Sequence, residues 1–463
     1  MRKKYKERDL KTGFGDKRHY TRLTTIQKAM ESNLSGTIPE VSLTKASSKA
    51  MYRFFANESI TPELILQAHQ QEMFKPLSST GSQRFIQIDD STELDFTNKK
   101  GAAQLGPLTY LKRRGLILHN SLLLNSQAVP IGLLHQSYIQ RTDEDFGQSA
   151  ARKSLPASEK ESYRWVTHFQ KGQALCEQNK ELEGLYIADR EADLIELYHQ
   201  RNCERMHLLV RCKHNRRLNG QSDKLFTHLS KQDLKGVYQV TVFDSETNKI
   251  RKAIVEVRFC KVELTLCNKR TITNHIKPIA MYAVEAKEIN APQGIKNEIH
   301  WRLLTTLPVT NFDQAMEIIH YYSLRWIIER FHYMLKSGGA KVEELQLHKA
   351  ERIKNAVTTY SIATLNVFKI RYLAEFQPHK IIYEVGISPV EYKVLFTYAN
   401  KNISSKIRYT PEQPPTIEQF CIVLGQIGGF MPSINQKLPG LKILSRSVRK
   451  FNTMLDTYFS FFQ

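Results

Sequence analysis

Cysteine is scarce in this chain of 463 residues: there are six (Cys176, Cys203, Cys212, Cys260, Cys267 and Cys421). None forms a CxxC pair or clusters with histidine at zinc spacing, which argues against a zinc ribbon and a thiol redox motif. A structural disulfide is not expected in a large chain of this kind, so the thiols read as reduced and mostly buried. Long apolar runs are lacking too. No stretch approaches the roughly 18 residues of a membrane-spanning helix, and the opening "MRKKYKERDL" has no hydrophobic segment of a signal peptide, so the protein is expected to stay in the cytoplasm. Internal repeats and long low-complexity tracts are also missing.

Acidic residues are the minority charge. Lys and Arg number 67 against 46 Asp and Glu, giving a net charge of +21 and a pI of about 9.5. With no membrane segment, the partner that such a balance fits best is a polyanion, and nucleic acid above all. The apolar content of 41% is that of an ordinary globular protein, and the length allows two or three domains.

Residues 1–75 read as a basic helical domain for DNA binding. Ten of the first thirty residues are Lys or Arg against three acids, and Arg18 and Arg22 fall one turn apart on one helix face, where a phosphate backbone could lie. A solvated surface helix is the bland alternative. From residue 84 the pattern changes to short apolar runs. "RFIQIDD" (84–90), "GLILHNSLLLN" (115–125) and "QAVPIGLLHQ" (127–136) predict an antiparallel meander. Then come a helix in "EKESYRWVTHFQKGQALCEQ", a strand in "GLYIAD" (184–189), a helix in "READLIELYHQR" and a strand in "MHLLVRC" (206–212). This order is α/β: a mixed sheet flanked by helices.

Residues 213–309 alternate with a near period of two ("GVYQVTVFD", "RKAIVEVRFCKVELTL", "KPIAMYAVEA") and read as a β-rich insertion, with turns at "SETNK" and "NAPQG". One helix is then expected over "YYSLRWIIERFHYMLKSGG" (321–339), after a cap formed by Thr310 and Asp313 and stopping at Gly338-Gly339. Helices continue to the end, broken by the "YTPEQPPT" linker at 409–416. The domains are thus 1–75, a catalytic domain at 76–375 containing the insertion, and a helical 376–463. With both terminal regions in place, the chain reads as untruncated.

Two acids close strands: Asp90 ends "RFIQIDD" and Asp189 ends "GLYIAD". Open sheets place their sites beyond the carboxyl ends of strands, and converging carboxylates there bind hard divalent cations. Asp89 competes with Asp90, since neighbours on a strand face opposite ways, and Glu191 and Asp193 lie close to Asp189. An Asp at a strand end can equally be a helix cap. In the 321–339 segment, Tyr322, Arg325, Glu329 and Lys336 are spaced by three, four and seven, one stripe of a continuous helix. A buried stripe of mixed charge needs compensation. Either Arg325 and Glu329 form a structural ion-pair ladder, or Glu329 adds a third carboxylate while Tyr322, Arg325 and Lys336 hold phosphates. Three such acids could hold two metal ions and catalyse phosphoryl transfer.

The spacing Tyr322-x2-Arg325-x3-Glu329-x6-Lys336 resembles the YREK signature of the DDE transposases of bacterial insertion sequences, the group that includes the transposase of a composite kanamycin-resistance transposon. "GDKRHYTRL" (15–23), "YRFFAN" (52–57), "IDDSTEL" (88–94), "GLLHQ" (132–136), "KES" (160–162), "ADREAD" (188–193), "LLVRCKHNRR" (208–217) and "IGGFM" (427–431) resemble the family's landmarks in the family's order. The resemblance implies an RNase H-like catalytic core with a β-rich insertion and Asp90, Asp189 and Glu329 as the acids binding two Mg²⁺ ions, with Mn²⁺ as substitute. It also implies DNA contacts by Tyr322, Arg325, Lys336, Arg211 and Lys213, and Trp301 stacking on a flipped base. The activity implied is cut-and-paste transposition by a homodimer, in a bacterial cytoplasm and on the nucleoid when DNA is bound. Two departures stand out: Ser91 replaces a common Thr, and "PGLKILSRSVRKFNTML" lacks the Gly-Trp pair of the dimerisation region. The rivals are a non-catalytic inhibitor or repressor that binds the repeats, and a simple nuclease of the same fold.

Overall fold

In the computed structural model, residues 13–74, 83–144, 146–148, 154–244, 249–265, 277–292, 298–403, 413–434 and 436–462 are described. Cys267, the turn at 245–248, the last two residues of "NAPQG" and the first part of the 409–416 linker lie outside them. The chain divides into two compact units, one of residues 1–81, 91–150 and 328–463, the other of residues 82–90 and 151–327.

The second unit is a mixed sheet. Its strands are β1 (Gln83–Asp95, of which 83–90 belong here), β5 (Leu182–Ala188), β6 (Met206–Arg211), β7 (Gly236–Asp244), β8 (Lys249–Leu264), β9 (Ile279–Glu288) and β10 (His300–Thr305), in the order β1-β5-β6-β10-β9-β8-β7. β1, β5 and β6 run parallel, and β10 onward is antiparallel. The central strands read as unbroken apolar runs because both their faces are covered, Leu185, Tyr186, Ile187 and Ala188 of β5 being fully buried. Helix α5 (Arg164–Gln178) covers one face, burying Trp165, Val166 and Phe169.

The β-rich segment does not form a separate sheet. Its strands extend the core sheet through β10, whose short run "HWRLLT" supplies both the pairing to β6 and the pairing to β9.

The first unit holds the antiparallel strands β2 (Gly106–Pro107), β3 (Arg114–Leu124) and β4 (Pro130–Ile139), paired β2 to β3 and β3 to β4. It also holds helices α1 (Lys17–Ser32), α2 (Ile38–Ser42), α3 (Lys45–Ala56) and α4 (Pro62–Phe74). The meander followed by parallel β5 and β6 is the RNase H-like arrangement expected, with helical regions at both ends of the chain. Through the centre runs α10 (Ala350–Phe376), buried on most of its circumference. α1 lays Leu23, Ile26 and Met30 inward, a spacing of three and four that makes one apolar stripe. Asn355 of α10 donates to the carbonyls of Phe55 (3.3 Å) and Ile60 (2.8 Å). The N-terminal helices are therefore built into this unit rather than hung from it.

Local corrections concern the ends and continuity of helices. The continuous helix expected at 321–339 is three pieces: α8 (Phe312–Ser323), a turn at Leu324 and Arg325, α9 (Trp326–Tyr333), and a π-helical turn over Met334–Gly338. Tyr322, Arg325, Glu329 and Lys336 therefore do not share one regular stripe. α8 is capped by Asn311, whose side chain accepts from Gln314 N, instead of by Thr310 and Asp313. The "READLIELYHQR" helix shrinks to a 3₁₀ turn (Arg190–Ala192) and the short α6 (Ile195–His199). Five cysteines, Cys176, Cys203, Cys212, Cys260 and Cys421, are free thiols, and all but Cys260 are buried.

Candidate active site

The register of β1 against β5 places the first two acids. The last paired residues are Ile88 and Ile187. Asp90 and Asp189 each follow by two and so stand at the same level, where strands lie about 4.8 Å apart; Asp189 is just past the end of β5, whereas Asp90 does not close its strand as expected, because β1 runs on to Asp95. Both carboxylates are half-buried. Asp189 accepts from the Glu191 backbone N–H (2.7 Å) and so caps the 190–192 turn. The cap uses one of the roughly four acceptor positions of an ionised carboxylate.

The neighbouring acids have partners of their own. Asp89 is fully buried on the opposite face of β1, where Gln87 Nε2 donates to it (3.0 Å) and His168 Nδ1 lies 3.8 Å away. Glu191 pairs with Arg164 (2.7 Å). Asp193, buried, organises the loop after β6: it accepts from Lys213 N (2.7 Å), His214 N (2.8 Å), Tyr198 Oη (2.8 Å) and Arg216 Nη2 (2.5 Å). Lys213 is exposed beside it.

Cations and aromatics surround the strand ends. Arg325 Nη1 lies 3.5 Å from Asp90 Oδ2, both side chains being largely buried. Asp90 is thus one partner of Arg325. Tyr322 is buried and meets Trp301 of β10 edge to face, 5.1 Å between ring centroids. Burial pushes the Tyr322 hydroxyl above its usual range; Arg325 and Arg211 pull it down and Asp189 pushes it up, so it remains a protonated donor at neutral pH. Arg211, at the end of β6, donates to His300 O (3.1 Å). Trp301 is half-buried with Tyr322 as its ring partner.

In the other unit, Glu329 stands on α9 and is half-buried. A buried polar network holds that helix: His332 Nε2 lies 3.0 Å from Asn120 Nδ2, Gln136 Nε2 donates to Asn120 Oδ1 (2.8 Å), and Gln136 also reaches Ser361 Oγ of α10 (3.0 Å). Sequence reading missed these residues. The available signal was "HNS" interrupting the apolar run of β3, since His119, Asn120 and Ser121 are all fully buried. Ser91, which departs from the common Thr, lies 2.8 Å from His119 Nδ1. Lys336 sits in the π-helical turn, donating to Glu93 O (2.6 Å) and pairing with Glu343 (3.2 Å). Arg18 and Arg22 both point to solvent on α1, with Arg18 bonded to the N-cap Asp16 (2.8 Å).

Residues 6–60 match the family model of the transposase DNA-binding domain, and residues 166–366 match that of the transposase DDE domain. The chain therefore carries the DNA-binding and catalytic domains of a DNA transposase of the DDE class. Asp189 and Glu329 fall within the matched catalytic segment, and Asp90 precedes it. Among solved structures, the chain is similar to a piggyBac transposase in a synaptic complex with hairpin DNA, at 10% identity and a TM-score of 0.33, covering 85% of this chain and 77% of that one.

Proposed function

We propose that the protein is a cut-and-paste transposase of the YREK group, with Asp90, Asp189 and Glu329 as its catalytic acids. The observation that carries this reading is that Asp90 and Asp189 stand level, two residues past the last pairing of adjacent parallel strands, with Arg325 beside Asp90 and Arg325, Arg211 and Asp189 all acting on Tyr322. An all-carboxylate donor set suits a hard cation such as Mg²⁺, or Mn²⁺ in its place, and two ions per site would be held by the three acids. When bound, the metal supplies activation of the attacking oxygen and stabilisation of the leaving one. Around it, Arg325 and Arg211 neutralise non-bridging phosphate oxygens, and the protonated Tyr322 hydroxyl donates a further hydrogen bond. In this reading Lys336 and Lys213 add backbone contacts, and Trp301 stacks on a base displaced from the end duplex.

In this reading residues 1–75 bind terminal inverted repeats, with Arg18 and Arg22 on phosphates, 76–375 cut and join, and 376–463 support a homodimer that cleaves in trans. Water nicks one strand at the transposon end. The freed 3′-hydroxyl attacks the opposite strand to form a hairpin, water reopens it, and the same hydroxyl joins target DNA. One site serves every step because each is an in-line displacement at phosphorus. The work is done in the cytoplasm of a bacterium, on the nucleoid.

The test is cleavage of a labelled duplex bearing the element's terminal repeat, with Mg²⁺ or Mn²⁺. Nicking followed by a hairpin is expected, and Asp90→Ala, Asp189→Ala and Glu329→Ala should each lower it by about a thousandfold or more while end binding persists. Tight end binding with no strand breakage by the wild type would instead establish the inhibitor or repressor. Cleavage without joining would leave a nuclease.

A further inference from the structure

Between β1 and β3 the chain is wholly one-signed. From Phe96 to Arg114 there are five cations (Lys99, Lys100, Lys112, Arg113 and Arg114) and no acid. The segment ends in a tight β2–β3 turn whose tip is Tyr110–Arg113, closed by Leu108 N to Arg113 O and Arg113 N to Tyr110 O, both 2.9 Å. Tyr110 and Leu111 sit at this tip with 65% and 51% of their surface in solvent. Lys112 and Arg113 follow, also exposed. Two large apolar side chains held in water beside two cations are costly as decoration.

The turn is held firmly. Glu93 accepts from the backbone N–H and hydroxyl of Thr109 (2.7 and 2.5 Å), and the carbonyl of Glu93 accepts from Lys336. Gly115 lets β3 pass against β1, since a Cβ there would lie 2.0 Å from Leu94 O. Arg113 lies over the Tyr110 ring, 5.5 Å from its centroid, with its Nε 3.8 Å from Asp95. The result is a pre-ordered tip that presents an aromatic and an aliphatic wedge between cations.

We propose that the Tyr110–Arg113 tip is a sequence-independent DNA contact and that the duplex it holds is the target DNA. Lys112 and Arg113 lie on backbone phosphates, while Tyr110 and Leu111 press against base steps from the minor groove, the combination that grips and bends DNA without reading it. The tip bears no Asn or Gln to pair with base edges, Thr109 just before it is taken up by Glu93, and its Arg113 is laid over Tyr110. Such chemistry fits DNA accepted at any sequence. The transposon end, by contrast, is a fixed sequence and has the N-terminal domain to read it. The assignment to target DNA rests on the transposase reading above; the DNA contact itself does not.

Two double variants of the full chain test this, Tyr110→Ala with Leu111→Ala and Lys112→Ala with Arg113→Ala. On a duplex of arbitrary sequence without metal, the second should make the slope of log K against log salt shallower by about two. With pre-cut ends and a plasmid target, both should join about tenfold more slowly, while cleavage of the end duplex stays within about twofold of wild type. An unchanged slope together with unchanged joining would overturn the proposal. An equal loss of end cleavage would reassign the tip to the transposon end. A wild type that neither cleaves nor joins would remove the target assignment along with the transposase reading, and the slope would still decide whether the tip touches DNA.

Discussion

Arg325 occupies a turn rather than a helix, and this is what lets its guanidinium reach Asp90. Replacing it with Ala should slow end cleavage by about ten- to a hundredfold, the loss of one or two charge-assisted contacts to phosphate, and leave end binding close to wild type. Arg325→Lys should recover only part, because an ammonium keeps the charge and loses the planar fork. Single-turnover cleavage with pre-bound ends checks both. Lys336 differs in bonding to the main chain of Glu93 and to Glu343. Lys336→Ala should lower stability by about 1–2 kcal/mol in a denaturation series and weaken cleavage by less than any acid variant. A loss as large as that of Asp90→Ala would give Lys336 a heavier role than an auxiliary clamp. At this scale the sequence was legible at Asp189, where a polar residue closing an apolar run marks the end of β5, and less so at Asp90, where the apolar run stops but β1 continues to Asp95. It was least legible at Asp193, whose acidity near Asp189 looks like a site feature. Its partners at 213–216 lie twenty residues on, and only the folded loop brings them to it.

The contact of α4 with β4 includes side-chain hydrogen bonds to the strand, and Gln70 Nε2 donates to the Leu134 carbonyl. His69 of α4 accepts the Leu133 N–H through Nε2 (3.1 Å), and burial, aided by the charge of Lys369, drives its pKa from 6.5 to about 4. The folded-state value lies below the unfolded one, so the fold favours the neutral ring. Its contribution is complete above pH 6.5 and drains away as pH falls toward about 4, by at most about 3 kcal/mol. Thermal midpoints measured from pH 7 to pH 4.5 should fall more steeply for wild type than for His69→Gln, which keeps an acceptor and cannot titrate. Parallel curves would remove His69 from the acid sensitivity of this contact. Strands were the most readable elements: β1, β3, β5, β6 and β7 lie where the alternation or apolar run puts them. Helix continuity was hidden, because the break at Leu324–Arg325 and the π-helical turn serve long-range bonds, His332 to Asn120 and Lys336 to Glu93, that no local periodicity records.

For the molecule as a whole, a charge of +21 makes DNA affinity steeply dependent on salt. Even six phosphate contacts imply a loss of about a thousandfold in non-specific affinity between 50 and 200 mM salt. A titration of arbitrary duplex over that range checks this, and a shallow slope would mean that the basic residues are spent on internal acids. No helix among the described residues is long and apolar enough to cross a membrane. The expectation of a polyanionic partner came from composition alone and needed no fold.

The π-helical turn at Met334–Gly338 holds one residue more than an α-helix would place there. A regular helix advances about 100° and 1.5 Å with each residue, so that extra residue sets the direction in which Lys336 leaves the backbone. In the language of the gene, the clamp on Glu93 is a matter of a single codon. An in-frame loss of one triplet after Glu329 and before Lys336 would keep nearly the same composition, charge and length. It would turn the lysine a quarter of the way round its axis, so relatives compared by motif letters alone can share the signature and differ in the grip.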